Sequence, residues 1–189
     1  QEMSRGLGDV YKRQVLMIEE HNQIGRPFQC AGLVNPGSME KVGLESTALT
    51  RIWGARIHGP GGTLVEIGSP ERTRTWSVCR KLFDEAVVAQ AISAGGSLML
   101  NSTPKGTSIS DEYVVTTIST DNTELTVKSK VVLGCDGAHS WVRRYHRMGR
   151  VRETMIGFQI DVTGYLHKEG KLDMYTCLLY TSPSPRDIS

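Results

Sequence analysis

The spacing of apolar and polar positions changes several times along the chain, and each change predicts a different structural element. Residues 15–18 are four consecutive apolar residues that lead to Glu19, a pattern typical of a strand buried in a parallel sheet. Residues 21–37 are rich in glycine, proline and asparagine, and they predict a long irregular connection. Apolar residues three apart then predict a short helix that Ser38 caps and that ends near Leu44.

A hairpin and a helix are predicted next. Apolar residues flank a turn of glycine and proline at 58–62, so residues 51–78 predict antiparallel strands that form a layer of their own. Residues 80–94 carry apolar side chains at intervals of three and four, which predicts an amphipathic helix. Gly95 and Gly96 should end this helix, because glycine adopts the left-handed capping conformation at little cost.

The second half of the chain predicts mainly strands. Residues 97–101 are a strand candidate, and residues 113–120 and 124–130 are rich in threonine, valine and isoleucine. The last two segments are separated by Asp121 and Asn122, a pair that is common in turns, and they predict a hairpin of a β-meander.

A further strand, a tight turn and a helix are predicted around Asp136. Residues 131–133 are apolar and predict a buried strand, a glycine-rich turn follows, and Ser140 is a good N-cap for the next helix. Residues 155–162 alternate apolar and polar side chains and predict one more strand. We therefore expect an α/β fold whose sheet is interrupted by a meander, and not a plain series of βαβ units.

Length and charge narrow the class of protein. The 189 residues, 39% of them hydrophobic, suffice for one domain with a core and for part of a second. A formal net charge of +2 gives no reason to expect a nucleic-acid partner. No apolar run reaches the ~18 residues of a membrane-spanning helix. Five arginines between residues 143 and 152 form either a solvated helix face or a patch that contacts phosphate.

The four cysteines are scattered along the chain. None belongs to a C-x-x-C pair, so we expect no zinc, iron–sulfur or other metal site and no disulfide framework. This usage fits a reducing, cytoplasmic compartment. No charge near Cys30 in the sequence indicates a lowered thiol pKa.

Two acidic residues follow predicted strands. The order strand, glycine turn and helix places Asp136 and backbone N–H groups at the carboxyl edge of a sheet, where α/β folds bind phosphorylated cofactors. Gly137 would let a ligand approach the backbone closely. Glu19 either accepts hydrogen bonds from both hydroxyls of an adenosine ribose or simply ends its strand.

Arg80 stands at the start of the predicted helix 80–94, where the helix dipole disfavours a cation. A bound anion would compensate for this position. Alternatively, Arg80 pairs with Asp84 one turn later.

Two motifs together resemble those of the geranylgeranyl reductase family. One is Gly-Cys-Asp-Gly-Ala-x-Ser-x-Val-Arg-Arg at residues 134–144, and the other is Gly-x-Pro-x-Gln-Cys-Ala-Gly at residues 25–32. These are FAD-dependent enzymes, including archaeal digeranylgeranylglycerophospholipid reductases, within the p-hydroxybenzoate hydroxylase superfamily. The resemblance covers about residues 15–162. It implies a glutathione-reductase-like, Rossmann-type FAD-binding domain with a β-meander, plus part of an antiparallel-sheet substrate domain.

The resemblance also implies roles for single residues. Glu19 would bind the adenosine ribose of FAD, and Arg80 would lie near the ribityl and phosphate region. Asp136 and Gly137 would contact the ribityl or pyrophosphate side. Cys30 would lie beside the flavin ring, with its chemical role unresolved.

In this family, reduced flavin delivers hydride to isoprenoid double bonds, such as those of a geranylgeranyl group of membrane lipids or of the chlorophyll side chain. The resemblance implies such a lipid substrate, a cytoplasmic protein that can contact a membrane peripherally, and an electron donor (NAD(P)H or ferredoxin) that the motifs do not identify. Two alternatives share the fold: an aromatic monooxygenase that uses FAD and NADPH, and a protein like electron-transfer flavoprotein–quinone oxidoreductase. The Cys30 motif argues against the monooxygenase.

The expected domains are interleaved along the chain. Residues 15–50 and 79–150 would form the FAD-binding domain, 51–78 the substrate-domain hairpin, and 151–176 the start of the substrate domain. Residues 1–14 and 177–189 resemble adapter read-through, or are disordered tails.

The glycine fingerprint of dinucleotide-binding domains is not found ahead of Glu19. Gly6 and Gly8 lie too close to residue 15, because the fingerprint needs a full helix before that strand. We therefore expect a fragment that is inactive alone and binds FAD weakly or not at all.

Overall fold

A computed structural model describes residues 14–27, 30–121, 123–164 and 169–176. The predicted non-native ends, apart from Gln14, lie outside these residues. The chain divides into two compact units. Unit 1 contains the described residues up to Arg26 together with Val88–Gly157, and unit 2 contains Pro27–Val87 together with the described residues from Phe158 onward. The division falls within one helix.

The described elements follow one another in a mixed α/β order. The helices are α1 (Pro36–Val42), α2 (Arg80–Ser93) and α3 (Trp141–Tyr145). The strands are β1 (Leu16–Ile18), β2 (Leu33–Val34), β3 (Ala48–Ile52), β4 (Gly54–His58), β5 (Leu64–Gly68), β6 (Thr75–Val78), β7 (Ser97–Met99), β8 (Thr103–Ile109), β9 (Val114–Ser119), β10 (Glu124–Ser129) and β11 (Lys171–Tyr175). Short 3-10 turns occur at Glu45–Thr47 and Pro60–Gly62.

Unit 1 contains a parallel strand pair and an antiparallel meander. Strand β1 pairs with β7 in parallel, Leu16 opposite Ser97 and Ile18 opposite Met99. Strands β8, β9 and β10 form a separate three-stranded antiparallel sheet in the order β10-β9-β8. Ile118 on β9 is fully buried. The hairpin predicted around Asp121 is therefore confirmed, because β9 and β10 pair on either side of it.

Unit 2 contains two three-stranded sheets. In the first, β6 pairs antiparallel with both β2 and β3. In the second, β4 pairs antiparallel with β5 and in parallel with β11. The predicted hairpin around residues 58–62 is confirmed, with Gly61 in the left-handed conformation that the turn requires. The buried apolar residues of this unit are Met39, Ile52, Ala55 and Val78.

The two predicted helices of this region form close to their expected bounds. Helix α2 ends near Gly95, which has a positive φ, and the Gly96 N–H donates to the carbonyl of Ala91 at 2.9 Å. Helix α1 begins earlier than predicted. Asn35, and not Ser38, is its N-cap, because the Asn35 side chain accepts a hydrogen bond from the Ser38 N–H at 2.8 Å.

Two predicted strands are absent. Residues 131–133 and 155–162 have no regular secondary structure, and Leu133 is 80% exposed. No strand that the structure describes pairs with either segment, so an apolar pattern suited to a sheet has no sheet to join. Strand β8 was not predicted, because its sequence Thr-Pro-Lys-Gly-Thr-Ser-Ile is mostly polar. Strands β2 and β11 were not predicted either.

The fold class is confirmed as mixed α/β, whereas the domain boundaries inferred from the sequence stay predictions. Among the described residues, no helix is both long enough and apolar enough to cross a membrane.

Candidate functional site

Glu19 follows β1 at the carboxyl end of the parallel pair of unit 1. Its N–H donates to the carbonyl of Met99 at 2.9 Å, and its own carbonyl accepts from the Ser102 N–H at 2.9 Å. The Glu19 carboxylate is held by His21, whose backbone N–H donates to Oε1 at 3.0 Å and whose Nδ1 lies 2.5 Å from the same oxygen. With 34% of the side chain exposed, this carboxylate is fixed but accessible.

The loop after β7 anchors the Glu19 segment from the other side. The Asn101 N–H donates to the carbonyl of His21 at 3.0 Å, and the Asn101 side chain donates to Asp121 at 2.9 Å. Ser102 is almost fully buried, and its hydroxyl donates to the carbonyl of Leu100. His21, Asn101 and Ser102 were not identified from the sequence. Only the position of His21, two residues after an acidic strand end, could have indicated a role.

Asp136 supports the start of helix α3. Its Oδ2 accepts hydrogen bonds from the backbone N–H groups of Trp141 at 2.5 Å and Val142 at 3.1 Å. Ser140 accepts from the Arg143 N–H at 3.0 Å, so the predicted N-cap is confirmed. Limited burial raises the pKa of Asp136, but hydrogen bonds from the Ser140 side chain and from these N–H groups outweigh it and hold the pKa below its usual value.

Gly137 forms the turn that follows Asp136. Its φ of 72° lies in the left-handed region, and a Cβ built there would meet no atom within 4 Å. The carbonyl of Gly137 accepts a hydrogen bond from the Ser140 N–H at 3.2 Å. The turn is thus shaped by its own hydrogen bonds and is open on the side where a side chain would stand.

Arg80 pairs with Asp84 in unit 2, which is the second of the two arrangements that the sequence allowed. Arg80 Nε donates to Oδ1 at 3.0 Å and Nη2 to Oδ2 at 2.9 Å, a bidentate ion pair across one turn of α2. Burial lowers the pKa of Arg80, but the hydrogen bonds and charge of Asp84 raise it overall. About a third of the Arg80 side chain remains exposed.

Cys30 lies beside Arg80, although the two are far apart in the sequence. The backbone N–H of Gly32 lowers the pKa of the Cys30 thiol, partial burial raises it, and the hydrogen bond and charge of Arg80 lower it further, so the pKa is below its usual value. The expectation that no charge acts on this thiol was therefore wrong. The charge comes from α2, which sequence proximity could not show.

The backbone at Gly32 fixes the position of this thiol. The Val78 N–H donates to the carbonyl of Gly32 at 2.8 Å, and Gly32 has a φ of 73°. A Cβ at Gly32 would clash with the carbonyl oxygen of Val78. Glycine is therefore required where the loop bearing Cys30 meets β6, two residues before Arg80.

A partly buried charged cluster in unit 2 was also missed from the sequence. Asp173 on β11, whose side chain is 7% exposed, contacts Arg56 Nη2 at 2.5 Å and His58 Nε2 at 2.7 Å, both on β4. The His58 ring stacks on Tyr175 with a centroid distance of 4.3 Å. The cluster joins two parallel strands. His58 belongs to the stretch 58–62 that was predicted as a turn, and nothing in the sequence indicated this cluster.

Among the residues that the structure describes, no group of three or more His, Cys, Asp or Glu side chains could hold a metal ion. The acidic side chains described above instead contact cationic side chains or backbone N–H groups.

Comparisons with known proteins find distant similarity to archaeal digeranylgeranylglycerophospholipid reductases over about 70% of the chain. The chain is 32% identical over 136 residues to a digeranylgeranylglycerophospholipid reductase of Methanosarcina acetivorans, an alignment that covers 69% of this chain and 33% of the relative. It is 28% identical over 139 residues to digeranylgeranylglycerophospholipid reductase 1 of Methanothermobacter thermautotrophicus, covering 69% and 34%. The chain thus spans about a third of the length of these relatives. No protein-family model matches it.

Solved structures share the fold. A geranylgeranyl bacteriochlorophyll reductase-like protein of Thermoplasma acidophilum matches with a TM-score of 0.67 and 21% identity, covering 86% of this chain and 44% of that one. A p-nitrophenol 4-monooxygenase of Pseudomonas putida matches with a TM-score of 0.60 and 17% identity, covering 70% and 37%. At these identities the likeness concerns the fold alone.

Proposed function

Because the chain is distantly homologous to archaeal digeranylgeranylglycerophospholipid reductases over about 70% of its length, we propose that it serves the FAD-dependent reduction of isoprenoid double bonds. The observation that supports this most strongly is the Glu19 carboxylate, anchored and accessible at the carboxyl end of a parallel strand pair. Ligands of open α/β sheets bind at that end.

We assign Glu19 to the adenosine ribose of FAD. A carboxylate accepts hydrogen bonds from two neighbouring hydroxyls, and His21 restrains the orientation of this one. Preorganisation of the Glu19 carboxylate lowers the entropy that is lost when a ligand binds. His21 is therefore a positioning residue in this proposal, acting through Glu19.

Gly137 and Asp136 have different roles in the proposal. Gly137 offers an open, left-handed turn that a phosphate or ribityl group could approach. Asp136 already accepts two backbone N–H groups of α3, so it acts chiefly by holding this turn and the start of that helix in place. Its charge also contributes to the electrostatic field at the turn.

In unit 2 we assign Arg80 to an anionic part of the cofactor and Cys30 to a position beside the flavin. Asp84 orients the guanidinium and leaves about a third of the Arg80 side chain exposed. The Cys30 thiol is exposed, and the Gly32 N–H and the Arg80 guanidinium lower its pKa. We assign Cys30 a position and no chemical step.

When bound and reduced by its electron donor, FAD would supply the hydride, which is chemistry that protein side chains do not provide. The residues of this chain would bind it, orient it and keep the Cys30 thiol next to the Arg80 guanidinium. The substrate in this proposal is a prenylated glycerophospholipid, the class that the names of the relatives state. The electron donor, NAD(P)H or ferredoxin, is left unassigned, and a cytoplasmic protein that meets the membrane at its surface is the expected setting.

A chimaera tests the proposal. In the Methanosarcina acetivorans relative, the 136 matched residues are replaced by those of this chain, and the purified protein is given dithionite and a digeranylgeranyl glycerophospholipid. Mass spectrometry should show a gain of two hydrogens for each reduced double bond, dependent on added FAD. A matched chimaera carrying Glu19→Gln should need more FAD for the same rate.

The outcome is read from folding, flavin content and product together. A folded chimaera that retains flavin and leaves the double bonds intact would contradict the assignment of substrate. A folded chimaera that takes up no flavin, beside a parent enzyme that does, would contradict the cofactor assignment.

A further inference from the structure

Ten consecutive residues after helix α3, numbers 147–156, are all exposed in the structure. We call them the arginine segment, because they include Arg147, Arg150 and Arg152. They form no regular secondary structure, and they belong to unit 1. The proposed cofactor site does not include them.

The three arginines of this segment carry charge that no residue described in the structure neutralises. Their side chains make no hydrogen bond or ion pair with any residue in the described part of the chain, and Glu153 is the one acid in the segment. The two arginines that precede the segment, Arg143 and Arg144, do make hydrogen bonds. Arg143 donates to the carbonyls of Gly149 and Ala138, so it ties the beginning of the segment to helix α3.

Large apolar side chains accompany these charges. Met148 and Val151 are about two-thirds and about half exposed, and Met155 and Ile156 are 92% and 82% exposed. Single exposed apolar residues are ordinary, but four within nine residues among unpaired arginines form a mixed cationic and apolar surface. Such a surface fits a partner that is anionic outside and apolar just beneath.

We propose that the arginine segment docks on the surface of a membrane containing anionic phospholipids. The arginines would contact headgroup phosphates, and Met155 and Ile156 would enter the boundary of the acyl region. This inference rests on the proposed function, since an enzyme acting on a glycerophospholipid must reach the bilayer in which that lipid lies. It identifies the part of the chain that does so.

Charge favours this occupant over two others. A second copy would bring three unpaired arginines against three more, and like charges in contact oppose association. Nucleic acid would satisfy the arginines through its phosphates, but it gives exposed methionine and isoleucine no apolar phase to enter. An anionic bilayer matches both halves of the surface.

Vesicle sedimentation tests the proposal with the chain as it stands and without flavin. The probes are vesicles of phosphatidylcholine alone and of phosphatidylcholine mixed with phosphatidylglycerol. The chain should sediment with the mixed vesicles, be released as sodium chloride is raised, and stay in solution with the neutral ones. A separate measurement of flavin absorbance after FAD is added tests the proposed function independently of vesicle binding.

Two variants locate the contact. The triple variant Arg147→Gln, Arg150→Gln and Arg152→Gln should bind the mixed vesicles about a hundredfold more weakly, from the typical contribution of each cation near an anionic surface. The control variant removes three exposed cations elsewhere, Lys41→Gln, Arg72→Gln and Lys105→Gln, and should bind almost as well as the original chain. Circular dichroism and thermal melting confirm that both variants fold.

A double variant, Met155→Ser and Ile156→Ser, tests the apolar half. It should keep its salt-sensitive attraction but dissociate at lower salt than the original chain. The proposal would be overturned if the triple variant and the control variant lost binding equally. It would also be overturned if the original chain bound both kinds of vesicle equally. A segment that binds only single-stranded DNA, or one that only drives self-association in vesicle-free solution, would likewise overturn it.

Discussion

At the scale of single residues, the most informative contact joins Cys30 to Arg80. The Gly32 N–H and the Arg80 guanidinium both favour the thiolate and outweigh the effect of burial. Asp84 opposes them, because its carboxylate raises the thiol pKa, but it also orients the guanidinium. The reactivity of Cys30 therefore depends on a side chain from another element.

Replacing Arg80 should make Cys30 less reactive. In Arg80→Gln the positive charge is lost, the thiol pKa rises toward its usual value, and the thiolate fraction at neutral pH falls. Alkylation by iodoacetamide, followed at Cys30 by peptide mass spectrometry, should slow severalfold. Cys79 and Cys135 serve as references within each sample.

The control for this prediction is the neighbouring cation, Lys81→Gln. Lys81 belongs to the same turn of α2 but is paired with Glu85, 3.9 Å away. It should leave the alkylation of Cys30 unchanged. Equal slowing by both variants would mean that a general charge effect, and not the Arg80 contact, controls the thiol.

At the scale of elements, Asp136 and helix α3 depend on each other. Helix α3 has five residues, too few to be stable without support at its ends. Asp136 supplies that support through the N–H groups of Trp141 and Val142. The hydrogen bonds favour the ionised carboxylate, and this links the stability of the segment to pH.

Asp136→Asn should lower the free energy of unfolding by about 0.5 kcal/mol at neutral pH, because the amide oxygen still accepts hydrogen bonds but the negative charge that is favourable at a helix start is lost. The folded pKa lies below the unfolded one, so the contribution is complete above the unfolded pKa of about 3.9 and is lost as pH falls through the folded pKa. Urea titrations should therefore separate the variant from the original chain at about pH 7, and the difference should shrink as the pH is lowered below the unfolded pKa.

Asp161→Asn is a suitable control, because Asp161 is exposed and accepts a long hydrogen bond from the Gln159 side chain at 3.3 Å. It should change the urea midpoint little at either pH. A difference between Asp136→Asn and the original chain that persists at low pH would show that shape, and not charge, makes Asp136 important.

Elements with strong local signals could be predicted from the sequence. The helix at Arg80–Ser93 and the hairpin around residues 58–62 have their periodicity and their glycine turns within one short stretch. Residues 131–133 carry an equally apolar pattern but form no strand, because a strand needs a partner that its own sequence does not specify. The same reason explains why β11, which pairs in parallel with β4, was missed.

The candidate site likewise contains residues that local sequence patterns indicate and contacts that they do not. Glu19, Asp136 and Gly137 could be identified as candidate cofactor-binding residues because each stands directly after a strand-like or turn-like pattern. The contacts of Cys30 with Arg80, and of Asp173 with Arg56 and His58, join residues distant in sequence. Charge acting across such distances could not be inferred from neighbours along the chain.

At the scale of the whole molecule, the proposed ligands of FAD are distributed over two units. Unit 1 carries Glu19, Asp136 and Gly137, and unit 2 carries Cys30 and Arg80. The chain spans about a third of the length of its curated relatives. We therefore expect FAD to bind weakly enough to be lost on desalting, yet to be measurable by titration.

The most direct measurement is a titration of FAD into the original chain, Glu19→Gln and Glu20→Gln, followed by quenching of tryptophan fluorescence. The account predicts that Glu19→Gln weakens binding roughly tenfold to a hundredfold, the cost of a lost hydrogen bond to a charged group. Glu20→Gln, which removes an adjacent exposed carboxylate, should leave the affinity unchanged. Identical affinities for all three proteins would contradict the assignment of Glu19 as the residue that binds the cofactor.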